Sequence, residues 1–397
     1  MNRRTALSLP VTAGLLAACM GSRVASGGPP PKTRWRVRWC EGLDAVALCG
    51  PLTGQPFYAD HYRAELSAFL PRLAPDVVPT LQGLAAESDA ADTLLWPWLA
   101  LLISGGPHET LDDVLASVEG AERTLRPAYE GGAHWEAPAW ARFIDMRPRL
   151  LLVLRGLQEA GFATFWRDGH TAQANRRLHE LRTLLENLDV VSEQERLLGR
   201  TLPREIDVTL LQFCRPHGVR VHGQHFLAHV LSSDDALVLT AAHEILHPPF
   251  AMDGPAARRC LALLQEDTLL KRILAEKSRD SGYNSLVGLF EEDVVQALDQ
   301  IVQERLGRGR AASDRWRHAD QGMHVLAAAL YGMLKADGYD HRGGVIESWL
   351  ADAALHGRLA SSQWQAAASA VLRLPADRLW TTPDPATASV SRAAITA

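Results

Sequence analysis

Thr240-Ala241-Ala242-His243-Glu244-Ile245-Leu246-His247 is the stretch on which the reading of this chain turns. Just upstream, Ser233-Asp234-Asp235 offers short polar side chains that cap free amides and carboxylates suited to a helix N-terminus. Just downstream, Pro248-Pro249 stops a helix. One helix is therefore predicted from about 233 up to the prolines, with His243 and His247 on one face, a turn apart. Two imidazoles so placed can share one zinc ion. Glu244, one residue along, falls beside the metal rather than on it, where it can take a proton from water as a general base. With 15 histidines and 46 acidic residues in 397 positions, a shuffled chain holds such a pattern roughly 0.07 times, even counting any acidic residue. The expectation is one Zn²⁺ on His243 and His247, with Glu244 catalytic.

Outward from this helix the period changes. Residues 205–213 and 218–231 alternate as strands do, separated by Arg215-Pro216-His217-Gly218, and predict a small antiparallel ribbon. The ribbon's His217, His222, His225 and His229 read as substrate contacts or surface residues, not as a second metal site. Apolar residues spaced three and four apart predict helices at 62–73, 110–129, 147–160 and 171–188. The same pattern recurs at 254–276, 286–305, 314–336 and 345–354. The expected class is mainly α with a small antiparallel β ribbon, that is, α+β. A helical region at 35–200 precedes a catalytic domain at 201–374, and residues 375–397, rich in Ala, Thr, Ser and Pro, read as a disordered tail.

Two histidines leave a catalytic zinc one protein ligand short. Leu289-Phe290-Glu291-Glu292-Asp293-Val294-Val295-Gln296-Ala297-Leu298-Asp299 puts carboxylates inside an apolar helix, where a cation would compensate them. On these residues, over roughly 205–306, the chain resembles the gluzincin metallopeptidases, in which an HExxH helix follows an edge ribbon and a later helix supplies a glutamate ligand. No histidine follows His247 as a metzincin would require. The resemblance implies a zincin-like core, a zinc-dependent peptidase acting on peptide or protein substrates, and Glu292 as third ligand, 45 residues beyond His247. Glu291 is the rival ligand, about 100° away around the helix. The chain departs from the thermolysin-like form in having no Asn before the glutamate and Gln296 four residues after it, so Gln296 and Asp299 become candidates to support the ligands. An oxyanion donor is also needed. His324 and Tyr331 are the expected ones, with His318 and Tyr283 also available. An extended peptide would lie along the ribbon.

The first residues read as an address. Asn2-Arg3-Arg4 and an apolar run from 5 to 18 lead to Leu16-Ala17-Ala18-Cys19, which resembles the lipobox of bacterial lipoproteins, with Cys19 taking the lipid. Arg3-Arg4-Thr5-Ala6-Leu7 also resembles a twin-arginine export signal. These features predict a signal peptide at 1–19, a flexible tether at 20–34, and a chain anchored by lipid to the cell envelope, facing the periplasm. Cys40, Cys49, Cys214 and Cys260 remain, either as disulfides, with Cys40 and Cys49 closing a short hairpin, or as buried thiols. A net charge of -5, without blocks of one sign, gives no footprint for nucleic acid. Two other functional readings stand beside the peptidase. One is an anchored zinc-binding lipoprotein without catalysis, and the other a zinc hydrolase of a non-peptide amide.

Overall fold

A computed structural model describes residues 31–381, apart from residues 92, 133–134, 217 and 278–284. The expected signal peptide with Cys19, tether residues 20–30, His217, Tyr283 and residues 382–397 lie outside the described residues. The chain is mostly helical, 66%, with one small mixed sheet of four strands, an α+β composition. None of the described helices is long and apolar enough to cross a membrane.

The chain forms two units. The first comprises residues 35–186 and 205–234. The described part of the second comprises residues up to Arg34, 187–204 and 235–381. This division departs from the expected 35–200 and 201–374 because the strands after Arg204 join the first unit, while 187–204 joins the second.

The first unit is built on the Glu41–Leu52 helix. Cys40 caps it by accepting from the Leu43 amide, and Glu41 and Asp44 suit its positive N-terminus. From Gly42 to Leu52 every residue is buried, so the helix carries no amphipathic period. This all-round burial is why 45–48 could read as half of a hairpin. The cysteines are instead four free, buried thiols. Leu95–Ile103, Leu111–Glu119 and Ala137–Glu159 pack around this helix. At Gly42 an added Cβ would stand 2.3 Å from the His108 carbonyl oxygen, so only glycine allows that approach.

The sheet runs β1 (Arg34–Trp39), β2 (Glu205–Leu211), β4 (His225–His229), β3 (Val219–Arg220) in space. β2 and β4 pair in parallel, from Asp207 opposite His225 to Leu211 opposite His229, and β3 and β4 pair antiparallel. The antiparallel ribbon expected from 205–231 is thus corrected to a mixed arrangement. After β2 the chain turns back as β3 one place further out, and β4 then fills the gap between them, running in the same direction as β2. Asp44 fixes the point where β2 ends. Its buried carboxylate accepts from the Gln212 and Phe213 amides, each at 2.8 Å, and from Trp166 Nε1 at 2.7 Å.

In the second unit Asp189 caps the Val190–Leu198 helix and also accepts from the Lys32 amide at 2.9 Å and Thr33 Oγ1 at 2.8 Å. The end of the expected tether is therefore fixed to the fold. The central helix, Leu286–Arg305, starts at a Ser285 cap and is buried on nearly every face from Leu289 to Gln303. Val325–Ala336 packs against it and against Ser361–Leu372. The predicted helix 254–276 divides at Asp267, which caps Thr268–Glu276 through the Leu270 amide. The predicted helix 314–336 breaks into Ala312–His318 and Val325–Ala336 around Asp320, Gln321 and Gly322, three consecutive residues with left-handed φ of 46°, 60° and 75°. The expected disorder of 375–397 is corrected for its first part. Ala376–Arg378 is a 3₁₀ turn, Leu379 and Trp380 are buried, and the Arg272 guanidinium donates to the Trp380 carbonyl at 2.8 Å.

Candidate metal centre

The helix carrying the HExxH string spans Asp234–Glu244 and ends three residues short of the expected stop. Ile245 N still reaches Ala241 O, but Leu246 N bonds His243 O at 3.0 Å and His247 N bonds Glu244 O at 3.3 Å, the tighter i to i−3 pattern. Pro248 lacks an amide and restricts the residue before it, so the last turn cannot continue as α-helix. Gln194 Nε2 ties down the Ala242 carbonyl just ahead of His243 at 2.8 Å.

His243, His247 and Glu292 come together, each offering one ligand atom, with all three atoms within 4.8 Å of one another. The two Nε2 atoms are 3.3 Å apart. Glu292 Oε1 lies 3.5 Å from His243 Nε2, and Oε2 lies 3.4 Å from His247 Nε2. A tetrahedral ion with bonds of about 2.0–2.1 Å requires donor separations of about 3.3–3.4 Å. The two Glu292 distances run to different oxygens, and the three groups lie close enough to share one ion; two imidazoles with one carboxylate are a donor set suited to a divalent metal. His243 and Glu292 are buried, and Glu244 is buried as the last residue of its helix.

Each imidazole turns its second nitrogen to another carboxylate. His247 Nδ1 is 3.1 Å from Glu291 Oε1, and His243 Nδ1 faces Asp299 Oδ2 at 3.6 Å. Glu291 thus stands behind His247 and is not grouped with the three donor atoms. Asp299 is fully buried, paired with Arg315 Nη2 at 2.7 Å and bonded by Gln303 Nε2. Gln296 supports the carboxylate ligand and not the histidines: its Nε2 donates to Glu292 Oε1 at 2.9 Å while its Oε1 accepts from Trp316 Nε1 at 2.9 Å.

These contacts set the electrostatics of the cluster. Burial opposes charge on His243, but the facing Glu292 and Asp299 overcome it and hold the imidazole well above its ordinary range. For His247 the same contest, against Glu291 and Glu292, ends with a pKa of about 9. Burial would raise Glu292, yet the two imidazoles keep it well below the usual carboxylate range.

The two expected oxyanion donors are not brought to this cluster. His324 is fully buried with Nδ1 2.7 Å from Asp293 Oδ1 and Nε2 3.1 Å from Asp320 Oδ2, so both ring nitrogens face carboxylates. Tyr331 donates to Glu304 Oε1 at 2.6 Å, and Glu304 lies twelve residues beyond Glu292, about 18 Å along the helix.

No family model, no curated protein and no solved structure matches the chain. The functional case rests on this geometry.

Sequence reasoning passed over Arg315 and Trp316. Its available signal was a polar stripe, Glu292, Gln296, Asp299 and Gln303, recurring every three or four residues on a helix that is otherwise apolar. Such a stripe needs donors from a facing element, and Arg315-Trp316 supplies them.

Proposed function

We propose that the second unit is a gluzincin-type zinc metallopeptidase with a zincin-like core, holding one Zn²⁺ through His243, His247 and Glu292 and using Glu244 as its general base. The observation that carries this reading is the meeting of the two HExxH imidazoles, Nε2 atoms 3.3 Å apart, with the Glu292 carboxylate, one oxygen 3.5 Å from His243 Nε2 and the other 3.4 Å from His247 Nε2. When bound, the ion supplies Lewis acidity to water and to a carbonyl oxygen. The protein's part is to hold His243 and His247 with Nε2 inward, their outer nitrogens fixed by Asp299 and Glu291, and to keep the carboxylate of Glu292 oriented by Gln296. Glu244 adjoins the first ligand. There it can accept a proton from the attacking water and return it to the leaving amine. The substrate class is peptide or protein. Export, with a lipid on Cys19 holding the chain at the cell envelope and facing the periplasm, belongs to the same proposal and rests on the Leu16-Ala17-Ala18-Cys19 string.

Metal analysis of the purified protein tests it, with Glu292→Ala, Glu291→Ala and Glu244→Gln alongside wild type. About one zinc per wild-type chain is expected, lost in Glu292→Ala. Glu244→Gln should retain the zinc and lose peptide hydrolysis. A wild-type protein that takes up no zinc ends the reading.

A further inference from the structure

The Ala312–His318 helix contributes two consecutive side chains to the cluster, and each reaches a different ligand through one intermediary on the Leu286–Arg305 helix. Arg315 Nη2 donates to Asp299 Oδ2 at 2.7 Å, and that same oxygen faces His243 Nδ1. Trp316 Nε1 donates to Gln296 Oε1 at 2.9 Å, and Gln296 Nε2 donates to Glu292 Oε1 at 2.9 Å. Trp316, Asp299 and Glu292 are buried, and the Arg315 side chain is only 12% exposed.

Donor chemistry gives both chains a direction. An indole N–H can only donate, so Gln296 must turn its oxygen toward Trp316 and its amino group toward Glu292. Without the indole the amide could flip and present oxygen to the carboxylate ligand. A guanidinium also only donates, so it holds Asp299 as an acceptor. Asp299 Oδ2, 3.6 Å from Nδ1, places negative charge on that side of the ring, which favours the His243 hydrogen there and the lone pair on Nε2, the atom that points at the other two ligands.

We propose that Arg315 and Trp316 are positioning residues for the metal ligands, Arg315 selecting the tautomer of His243 through Asp299 and Trp316 orienting Glu292 through Gln296. The inference rests on the zinc reading above and adds to it a support that lies outside both the HExxH string and the glutamate helix. On the far side of the strained turn, His324 bonds Asp293, the neighbour of Glu292, so the segment is fastened to the ligand helix at both ends.

The test uses the full mature chain. Zinc affinity is measured by competition with a chromophoric chelator, and the visible spectrum of the Co²⁺-loaded protein is recorded, for wild type, Trp316→Phe, Arg315→Lys and Arg358→Lys. The last is a control, because Arg358 pairs with Asp337 beside Trp349 in the same unit. Circular dichroism identifies the folded variants. Trp316→Phe keeps an aromatic ring in the site while removing the N–H donor along with part of the indole, so it decides the matter if Arg315→Lys does not fold. Trp316→Phe and Arg315→Lys are expected to lose about 10–100-fold in zinc affinity and to shift the Co²⁺ bands, with Arg358→Lys unchanged. A folded Trp316→Phe with wild-type affinity and spectrum overturns the inference while leaving the zinc reading intact. Wild type without zinc uptake overturns both.

Discussion

Acid should unfold the first unit through two histidines of β4, one buried and one half-buried, and the size of the effect can be worked out in advance. His229 is buried, and its Nδ1 accepts from the Leu231 amide at 3.0 Å, a bond that protonation of Nδ1 would abolish. Burial, with Arg215 nearby, lowers its pKa to about 3. His225 Nε2 is 2.8 Å from Thr209 Oγ1. Burial, then the positive charge of Arg38 and the neighbouring His108 and His222, lowers its pKa to about 3 as well. In the unfolded chain both return to about 6.5. Below pH 6.5 the unfolded state therefore binds more protons than the folded one, and stability falls with falling pH down to about 3. Each histidine contributes a slope of up to about 1.4 kcal/mol per pH unit. From pH 6.5 to 5 the pair removes about 3 kcal/mol, a large share of the roughly 5–15 kcal/mol that holds a typical domain. Urea unfolding followed by tryptophan fluorescence between pH 7.5 and 4.5 gives the slope. The variant His225→Gln/His229→Asn stays neutral and keeps an acceptor at each site. Its slope should be shallower than wild type by about 2–3 kcal/mol per pH unit below about pH 6, and nearly the same above about pH 7. Identical slopes in the two proteins would refute the assignment of acid sensitivity to β4.

Three further outcomes follow from the packing and from the metal cluster. Zinc supplied at about a hundred times its dissociation constant should stabilise the second unit by about 2.7 kcal/mol, raising its thermal midpoint by roughly 5–11 °C over chelator-treated protein. Calorimetry showing no zinc-dependent transition would contradict this. Asp44→Ala leaves two backbone amides and the Trp166 indole without their acceptor in a buried site, and should cost about 3–5 kcal/mol in urea unfolding. Burial lifts the Cys40 and Cys49 thiols to about 12, so these and the buried Cys214 and Cys260 should stay unreactive toward Ellman's reagent at pH 8 and react together once urea unfolds the chain.

The residues that sequence could place are those whose chemistry is local. His243 and His247 lie four apart, so spacing pointed to them, while burial cost pointed to the acidic run at 291–293 and the gluzincin resemblance to Glu292 within it. The mixed character of the sheet was not legible, because alternation reports that a segment is a strand and not which way its neighbour runs. The Glu41–Leu52 and Leu95–Ile103 helices were missed for another reason. Both are buried on every side, which erases the three-and-four rhythm that marks a surface helix. The support from Arg315 and Trp316 was hidden by the break at Asp320–Gly322, since a helix read as continuous through 336 gives no reason for its first turns to face the metal ligands. The oxyanion donors were chosen by residue type alone, and type says nothing about the carboxylates that already occupy His324 and Tyr331.

Neither unit is a single uninterrupted stretch of chain, and this bears on how the protein is made. The Val190–Leu198 helix, which packs on the Leu286–Arg305 helix, leaves the ribosome 88 residues before Glu292, counted from Arg204. At about 5–20 residues per second the interval is on the order of ten seconds, long enough for the first unit to close behind it while the earlier segment waits without its core. An excised fragment beginning at residue 201 would contain every ligand yet lack that helix and its Asp189 cap. Such a fragment should emerge from expression as insoluble material, and the shortest productive truncation for biochemical work starts before Lys32.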